Sequence, residues 1–386
     1  MESELFDILI VYTEKLATSA STLKNGVVLP FAKGSNSESY NIVYGFFLEI
    51  CQKNGLKAAF TTSAGVIGAG KCKSYWLFDK SKWIKVKKAG YSKLIFDKFS
   101  PVNKRIKDSR DLLFSSEKVK PFNSPYLFDL FFDKYETYKK LHQFSIPTVS
   151  IKKNTLKSVK SACKTLEQIK SNHPHREDFS DEIIMKDRFG AGGRSVFKFK
   201  KNNLKSIVRI VKKSSKTFIL QPFIKFDKGF RYHDSFSPTD IRLIFLGGKI
   251  IQTYIRIAKR GGFRCNEHRG GCLIYVSKRE IPQGITNLSK EITKVLGNDS
   301  SLYSLDFIIS NNKNIYFLEG NTGPGLDWNT SSKVNEIEAK KLIRIIVKEL
   351  VKRSASKNIS KKAYRSEVDS PVPATVTTIP PEPAFV

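Results

Sequence analysis

The chain has 386 residues, of which 67 are Lys or Arg and 36 are Asp or Glu, so its formal net charge is +31. This length exceeds that of one ordinary domain, and we expect about two or three units. No run of about 18 uncharged apolar residues is present, so we expect no transmembrane helix. The start, MESELFDILIVY, lacks the basic stretch of a signal peptide, and we expect a cytoplasmic protein. The five cysteines and five histidines form neither a CxxC pair nor an HExxH spacing, which argues against a disulfide framework and a zinc site.

The positive charge attracts polyanions such as nucleic acid, acidic lipid surfaces or acidic polypeptides. The basic stretches are spread from Lys80 to Arg365 rather than gathered in one stripe. This distribution favours a lysine-covered surface over a dedicated nucleic-acid site. A basic nucleic-acid-binding protein without catalysis is therefore kept as the alternative to an enzyme.

The first 130 residues predict an α/β unit. A strand at 6–12, a helix at 38–53 and a strand at 56–62 give a β-α-β order, which is typical of a parallel sheet. Short strands rich in aromatic residues follow in YWLFD, KWIKVKK and KLIFDKF. We expect residues 1–130 to form an N-terminal domain.

The rest of the chain predicts a second α/β domain over 131–355. One helix is predicted over 127–144, and Pro147 stops it because proline disfavours helix at its own position and just before it. Further helices are predicted at 155–171, 203–213 and 333–353, and strands at 182–187, 195–199, 217–221, 239–247, 250–257, 271–276, 303–309 and 315–319. The tail over 356–386 is rich in Pro, Thr and Val, and we expect it to be disordered.

Two carboxylates and an amide are brought together by the predicted hairpin YSLDFIISNNKNIYFLEGN (303–321). A hairpin symmetric about its NNKN turn places Asp306 opposite Glu319, and strand alternation puts Glu319 and Asn321 on one face. Carboxylates that face each other across a ladder repel, so a cation should lie between them. Two carboxylates and an amide suit Mg²⁺. The sequence predicts a magnesium site, with a solvated turn of unrelated acids as the alternative.

A glycine-rich loop joins two predicted strands in EIIMKDRFGAGGRSVFKF (182–199). Gly190, Gly192 and Gly193 allow the loop to fold close over a ligand and to point backbone N–H groups at phosphate oxygens. Lys186 supplies a positive charge to the same phosphates. A mobile turn without a ligand is the alternative for this motif alone.

A second glycine-rich segment, GVIGAGKC (65–72), has the spacing of a P-loop. Cys72 stands where a P-loop needs Ser or Thr for magnesium. No buried acidic strand of the Walker-B kind follows it soon after. We therefore expect an ordinary glycine-rich loop there.

Six motifs in this order resemble ATP-grasp ligases, in particular RimK-type glutamate ligases and glutathione synthetases. They are FDKYETYKKLHQFSIPTVS, IIMKDRFGAGG, FILQPFI, DIRLIFLGGKIIQTYIR, FRCNEHRGG, and LDFI with LEGNTGPGL. The resemblance implies an ATP-grasp fold in which residues 1–130 are a pre-ATP-grasp α/β domain. It also implies a lid-bearing subdomain over 131–220 and a metal-binding subdomain over 221–355.

The resemblance also implies roles for individual residues. Those expected to bind the nucleotide are Lys134, Lys186, Gly190, Gly192, Gly193, Gln221, Pro222, Phe223 and Asp240. Those expected to line the phosphoryl-transfer site are Arg242, Arg256, Arg264 and Asn266, although each arginine could instead serve in a salt bridge. Those expected to bind Mg²⁺ or Mn²⁺ are Asp306, Glu319 and Asn321.

The sequence departs from the family in the hinge and in the loop that follows it. Pro222 stands where relatives often carry Glu, but its carbonyl could still accept from adenine while the Phe223 N–H donates. The segment 225–239 looks longer than in RimK-type relatives, which makes Asp227 a rival of Asp240 for the ribose.

The reaction that the resemblance implies is the phosphorylation of a carboxylate by ATP, followed by attack of an amine on the acyl phosphate. The products are an amide, ADP and phosphate. The expected partners are a carboxylate substrate and an amino acid or peptide with a free amine, and the basic surface could recruit an acidic peptide or protein acceptor. An ATP-grasp phosphotransferase that makes no amide is a further alternative.

Overall fold

A computed structural model describes residues 2–14, 29–35, 37–99, 101, 103–190, 192–193, 195–201, 203–297, 300–328 and 332–368. Its N-terminal elements are β1 (Glu4–Phe6), β2 (Ile8–Tyr12), α1 (Tyr40–Lys53), β3 (Ala58–Thr62), β4 (Val66–Gly68), β5 (Lys71–Cys72), β6 (Tyr75–Asp79), β7 (Lys82–Val86), β8 (Gly90–Ser92), β9 (Leu94–Lys98), α2 (Lys104–Leu113) and β10 (Lys120–Pro121). The helix α2 has no counterpart among the predicted elements.

The main N-terminal sheet has six strands in the order β10-β9-β2-β3-β6-β7. The predicted β-α-β unit is confirmed, since β2 and β3 pair in parallel and α1 connects them. The sheet is nevertheless mixed, because β6 and β7 add an antiparallel edge. The turn between them uses Lys80 and Ser81, both with positive φ, a tight geometry that only antiparallel neighbours permit.

A smaller sheet has the order β1-β8-β5-β4 and contains the segment 65–72. In this segment Ala69 and Gly70 form the turn of the antiparallel hairpin β4–β5. A P-loop requires a helix directly after its glycines, whereas a strand follows here. The spacing match is therefore an ordinary turn, as expected.

The single helix predicted over 127–144 is wrong, because two helices occupy the segment. They are α3 (Pro125–Phe132) and α4 (Lys134–Leu141). Asp133 between them is extended, and its carboxylate accepts from the N–H groups of Tyr135 at 3.0 Å and Glu136 at 3.3 Å. Asp133 thus caps α4 at its N-terminus and places Lys134 in the first helical turn.

The middle of the chain forms a four-stranded antiparallel sheet with two helices on one face. Its elements are β11 (Val149–Ser150), α5 (Leu156–Ser171), β12 (Phe179–Asp187), β13 (Val196–Lys200), α6 (Leu204–Lys212) and β14 (Phe218–Ile224), and the strand order is β11-β14-β12-β13. Leu166 of α5 and Val211 of α6 pack against Met185 and Leu220 of the sheet.

The last sheet has five antiparallel strands in the order β19-β18-β17-β20-β21. The remaining elements are β15 (Arg231–Tyr232), β16 (Ser235–Phe236), β17 (Thr239–Leu246), β18 (Lys249–Ile257), β19 (Cys272–Tyr275), α7 (Gln283–Leu296), β20 (Leu302–Ile309), β21 (Ile315–Asn321) and α8 (Lys333–Val368). The helix α7 was not predicted; its Ile285 and Ile292 share an apolar core with Leu305 and Phe307.

The C-terminal helix α8 is assigned over Lys333–Val368, and the expected disorder over 356–386 stays a prediction. No proline occurs after residue 353 until Pro371, and nothing in this stretch stops the helix. The rest of the predicted tail, 369–386, lies outside the described residues. None of the described helices combines the length and apolar content that a membrane span requires.

The two ends of the chain share one apolar core. Leu342, Ile346 and Leu350 of α8 belong to the same buried cluster as Phe47 of α1. The strand β14 runs through the expected subdomain boundary between residues 220 and 221. The domain boundaries at 130, 220 and 355 stay a prediction.

Candidate active site

A cleft of about 870 Å³, here called the first cleft, has walls from both the middle sheet and the last sheet. Most of the predicted site residues line it. They are Lys134, Lys186, Gly190, Gly192, Gly193, Gln221, Pro222, Phe223, Asp240, Arg256, Arg264, Asn266 and Glu319.

A second cleft, of about 1550 Å³, adjoins the first and reaches the N-terminal sheet. Arg242 and Asn321 line this second cleft only. Six residues line both clefts and therefore mark the junction between them: Lys134, Gly190, Gly192, Arg256, Asn266 and Glu319. Asp306 lines neither cleft and is fully buried beside the junction.

The apolar end of the first cleft lies along β14. β11 pairs only with Ile219 and Leu220, so among the described strands the following residues of β14 have β12 as their one neighbour. The backbone N–H and C=O groups on the unpaired edge of the hinge are therefore available to a ligand. The side-chain amide of Gln221 donates one N–H to Thr148 Oγ1 at 2.8 Å in a buried contact. Phe223 stacks edge-on against Phe263 with ring centroids 5.7 Å apart, which supplies an aromatic wall.

The opposite end of the first cleft is cationic. Lys134 Nζ donates to the carbonyl of Gly190 in the glycine loop. Burial lowers the pKa of Lys186 to about 8; Glu319 opposes this shift, while the charge of Lys134 adds to it. Two ammonium groups held close together in a partly desolvated place favour the arrival of an anion.

Asp133 fixes Lys134 relative to the glycine loop. Its two carboxylate oxygens accept from Arg188 Nε and Nη2, both at 2.6 Å. The Lys134 N–H in turn donates to the Arg188 carbonyl at 3.1 Å. Burial alone would raise the pKa of Asp133, but the Arg188 guanidinium and the N–H groups that cap α4 hold it below its usual range. Sequence reasoning missed this role, although an Asp directly before a helix is a capping signal.

The glycine loop requires glycine where it approaches the last sheet. Gly192 and Gly193 both have φ of +65°, which L-residues rarely adopt. A Cβ on Gly193 would lie 2.6 Å from Asn266 Oδ1. The loop therefore closes against Asn266 at the junction of the clefts.

Four buried charged side chains form a cluster behind the junction. Asp306 accepts from Arg242 Nε and Nη2 at 2.5 Å each and from Arg256 Nη2 at 2.7 Å. Arg256 also donates to both oxygens of Asp240, at 2.7 and 2.9 Å. Burial raises the pKa of Asp240 to about 6, against the effect of Arg256. Burial would also raise the pKa of Asp306, but its two guanidinium partners hold it below its usual range.

The predicted hairpin register is confirmed, since Asp306 pairs with Glu319 and Ser304 with Asn321. An irregularity between Asp306 and Phe307 shifts the pairing by one residue towards the turn. We expected a cation between Asp306 and Glu319. The cations that contact Asp306 here are two guanidinium groups.

The oxygen atoms at this place still fit a divalent ion. A carboxylate offers about four acceptor sites, and the three donors to Asp306 leave one of them, on Oδ1. Within the described part of the chain, Glu319 has no hydrogen bond or ion pair and opens onto both clefts. Asn321 Oδ1 accepts from the Gly323 N–H at 2.7 Å and retains a second lone pair. No group of three or more His, Cys, Asp and Glu side chains suited to a metal occurs among the residues that the structure describes, so the amide would have to complete the set.

The structure distinguishes the two aspartates considered for a ribose. Asp240 lines the first cleft, whereas Asp227 is exposed, lines neither cleft and accepts from Asn311 Nδ2 at 2.9 Å. Arg256 donates to both oxygens of the Asp240 carboxylate, and a contact of Asp240 with the ribose stays a prediction. Arg264 donates to the Val196 carbonyl, and its buried Nε has no partner within the described residues.

The family model described as a RimK-like ATP-grasp domain matches residues 132–346, which is more than half of the chain. The chain belongs to the RimK-like ATP-grasp family. Members of this family use ATP and a divalent metal ion. The expectation drawn from the six motifs is thereby confirmed at the level of the family.

Curated relatives of this RimK-like protein share part of its length. The probable alpha-L-glutamate ligase of Pasteurella multocida (strain Pm70) is 26% identical over 183 residues, which are 47% of this chain and 54% of the relative. The protein of the same name from Vibrio vulnificus (strain YJ016) is 35% identical over 111 residues, 28% of this chain and 31% of the relative. The match thus spans about half the length of the first relative and less of the second.

Solved structures confirm the ATP-grasp fold. D-alanyl-alanine synthetase A from Vibrio cholerae has a TM-score of 0.55 and 12% identity, with 91% of this chain and 99% of that chain covered. D-cycloserine synthetase DcsG has a TM-score of 0.53 and 13% identity, with 89% and 99% covered. The RiPP-associated ATP-grasp ligase of Chryseobacterium gregarium has a TM-score of 0.52 and 14% identity, with 90% and 97% covered. At these identities the likeness concerns the fold alone.

Several residues of the second cleft in this ATP-grasp structure were not predicted from sequence. Tyr12 and Lys98 come from the carboxyl ends of the parallel strands β2 and β9, and Asp327 follows the Gly-Pro-Gly turn after β21. Ligands often bind at the carboxyl ends of parallel strands. A charged residue at the end of a predicted strand, such as Lys98, was the signal available in the sequence.

Proposed function

We propose that this protein is an ATP- and Mg²⁺-dependent carboxylate–amine ligase that forms an amide through an acyl phosphate. One observation carries the proposal: the first cleft has an apolar hinge at one end and two lysines with a glycine loop at the other. At Arg256, Asn266 and Glu319 the first cleft opens into the second cleft, of about 1550 Å³. A nucleotide in the first cleft would direct its terminal phosphate towards a substrate in the second.

The hinge accounts for adenine binding through the backbone. Pro222 has no N–H, but its carbonyl can accept from the adenine amino group while the Phe223 N–H donates to the ring. The Gln221 side chain uses one amide N–H for Thr148 and keeps its other amide groups. Phosphate oxygens would meet the ammonium groups of Lys134 and Lys186 and the N–H groups of the glycine loop.

Asp306, Glu319 and Asn321 would hold the magnesium ion. When bound, such an ion supplies charge neutralisation and orientation to phosphate oxygens. Arg242 and Arg256 support the metal ligand Asp306, because their ion pairs keep its carboxylate charged and fixed in place.

Phosphoryl transfer depends on positioning and on neutralisation of spread negative charge, so lysines and arginines suffice where no covalent helper exists. A substrate carboxylate oxygen attacks the γ-phosphorus, and ADP leaves. An amine then attacks the carbonyl carbon of the acyl phosphate, loses a proton, and displaces phosphate. Lys134 and Lys186 keep the phosphoryl group in place during the first step.

The substrates follow from the relatives and from the charge. Because the curated relatives are named probable alpha-L-glutamate ligases, L-glutamate is the first amino acid to test. The formal charge of +31 supports an acidic peptide or protein as acceptor. The test is ADP release with Mg²⁺ or Mn²⁺ across amino acids and acidic peptides, with basic peptides as controls.

Hydroxylamine separates the proposal from its alternatives. An acyl phosphate reacts with hydroxylamine to give a hydroxamate, which we expect together with ADP. ADP without hydroxamate or amide would indicate a phosphotransferase. Salt-sensitive nucleic-acid binding without ADP release would favour a binding protein instead.

A further inference from the structure

Two opposite charges line the second cleft without neutralising each other. Lys98 Nζ donates to the Pro324 carbonyl at 2.9 Å. An ammonium group has three donors, and no other acceptor for Lys98 occurs among the described residues. Asp327, half-buried in the same cleft, has no hydrogen bond or ion pair in the part of the chain that the structure describes.

The neighbours of Lys98 do not cancel its charge. Asp97, the preceding residue, is paired with Arg110, whose Nε lies 3.2 Å from Asp97 Oδ2. Asp327 lies near enough to act on Lys98, since its charge opposes the burial that lowers the Lys98 pKa to about 8. The two groups nevertheless form no ion pair. The Lys98 ammonium thus has N–H groups, and the Asp327 carboxylate has oxygen atoms, available to bind a ligand.

The Gly-Pro-Gly turn after β21 leaves room for both side chains. A Cβ on Gly323 would lie 3.5 Å from Lys98 Nζ, and a Cβ on Gly325 would lie 2.9 Å from Asp327 Oδ1. Pro324 between them supplies the carbonyl that holds Lys98. Both charged groups therefore lie beside the same short turn.

The same cleft contains the groups of the proposed reaction. Arg256, Asn266 and Glu319 line it together with Lys98 and Asp327. A molecule bound between the two charges would lie in the cavity in which amide formation is proposed.

We propose that Lys98 and Asp327 form a subsite for a free amino acid, in which Lys98 binds the carboxylate and Asp327 binds the ammonium group. A zwitterion satisfies both side chains at once, whereas a carboxamide or an N-acylated compound satisfies only one of them. The inference rests on the proposed function, because it assigns the second cleft to a substrate of the ligase. It names the class of that substrate and the two residues that select it.

The test is equilibrium binding of the twenty common amino acids, their C-terminal amides and their N-acetyl derivatives to the full chain. The wild type should bind at least one amino acid roughly 10- to 100-fold more tightly than its amide, since a charge-assisted hydrogen bond is lost. Lys98→Met should abolish the preference over the amide and leave amide binding unchanged. Asp327→Asn should abolish the preference over the N-acetyl derivative.

The exposed pair Lys104 and Asp108 on α2 supplies matched controls, because its Nζ–Oδ2 contact of 2.7 Å is far more open to solvent. Lys104→Met and Asp108→Asn should bind all three compounds as the wild type does. If Lys98→Met does not fold, Lys98→Gln tests the same point, and Lys98→Arg should retain the preference.

The subsite is wrong if Lys98→Met and Asp327→Asn still discriminate as the wild type does, or if the wild type prefers none of the twenty amino acids over its derivatives. If the wild type releases ADP while the binding data contradict the subsite, the proposed function still holds. Absence of ADP release and of hydroxamate with every acceptor would instead overturn the proposed function, whatever the binding data show.

Discussion

Arg242 and Asp306 form a bidentate ion pair across the neighbouring strands β17 and β20, with both N–O distances at 2.5 Å. Both side chains are buried, so water competes little with the ion pair. Asp306 is therefore at once a proposed metal ligand and the counter-ion of two arginines. The two roles can be separated by comparing Asp306 with Glu319, its partner in the hairpin.

We predict that Asp306→Asn lowers the free energy of unfolding by about 3–5 kcal/mol, because it leaves buried guanidinium groups without their carboxylate. Glu319→Gln should change it by less than about 1 kcal/mol, since Glu319 has no protein partner within the described residues. Both variants should lose ADP release. Urea unfolding and an ADP assay check this, and equal destabilisation by the two variants would contradict the account.

Lys186→Ala should abolish ADP release and weaken nucleotide binding while the fold stays intact. The ammonium group lies in a partly desolvated place that an anion would favour, so its loss removes attraction to phosphate rather than packing. Lys201→Met is the matched control, because Lys201 directly follows β13, is exposed and pairs with Glu167 at the surface. Wild-type turnover by Lys186→Ala would show that the phosphate site is misplaced.

Gly193→Ala should reduce ADP release at least about tenfold, because the new Cβ would lie 2.6 Å from Asn266 Oδ1 at a backbone φ of +65°. Gly247→Ala is the control for the φ effect alone. Gly247 has φ of +57° and nothing within 4 Å of its added Cβ. Equal losses of activity in the two variants would mean that the close approach of the loop to Asn266 is unimportant.

Asp133→Asn should lower the free energy of unfolding at pH 7 by about 1 kcal/mol, since Asn can still cap α4 but loses the ion pair with the partly exposed Arg188. The folded state lowers the pKa of Asp133, so the carboxylate stabilises the fold at neutral pH. This contribution is lost as the pH falls below the ordinary Asp value of about 4. The difference from the wild type should therefore shrink in acid, as urea unfolding at several pH values can measure. A difference that does not depend on pH, or the same change in the exposed control Asp181→Asn, would contradict this.

Short-range rules predicted part of the site from sequence. The register of Asp306 and Glu319 follows from the symmetry of one turn, and the β-α-β unit follows from local periodicity. The helix break at Asp133 was missed although an Asp before a helix is a capping signal, whereas the contact of Asp133 with Arg188, 55 residues away, has no local signal. Arg242 and Arg256 were expected to line the phosphoryl-transfer site, with a salt bridge as the alternative. Both line the second cleft, and the strand order also pairs them with buried aspartates. That order joins β17 to β20, which local hairpin rules do not connect.

The most direct test of the central claim is ADP release by the wild type with ATP, Mg²⁺, L-glutamate and hydroxylamine, with hydroxamate and amide products measured in the same sample. The account predicts one ADP for each hydroxamate or amide formed, and none from Lys186→Ala. Absence of ADP with L-glutamate and with every other amino acid and acidic peptide would contradict it, as would ADP that accumulates without either product.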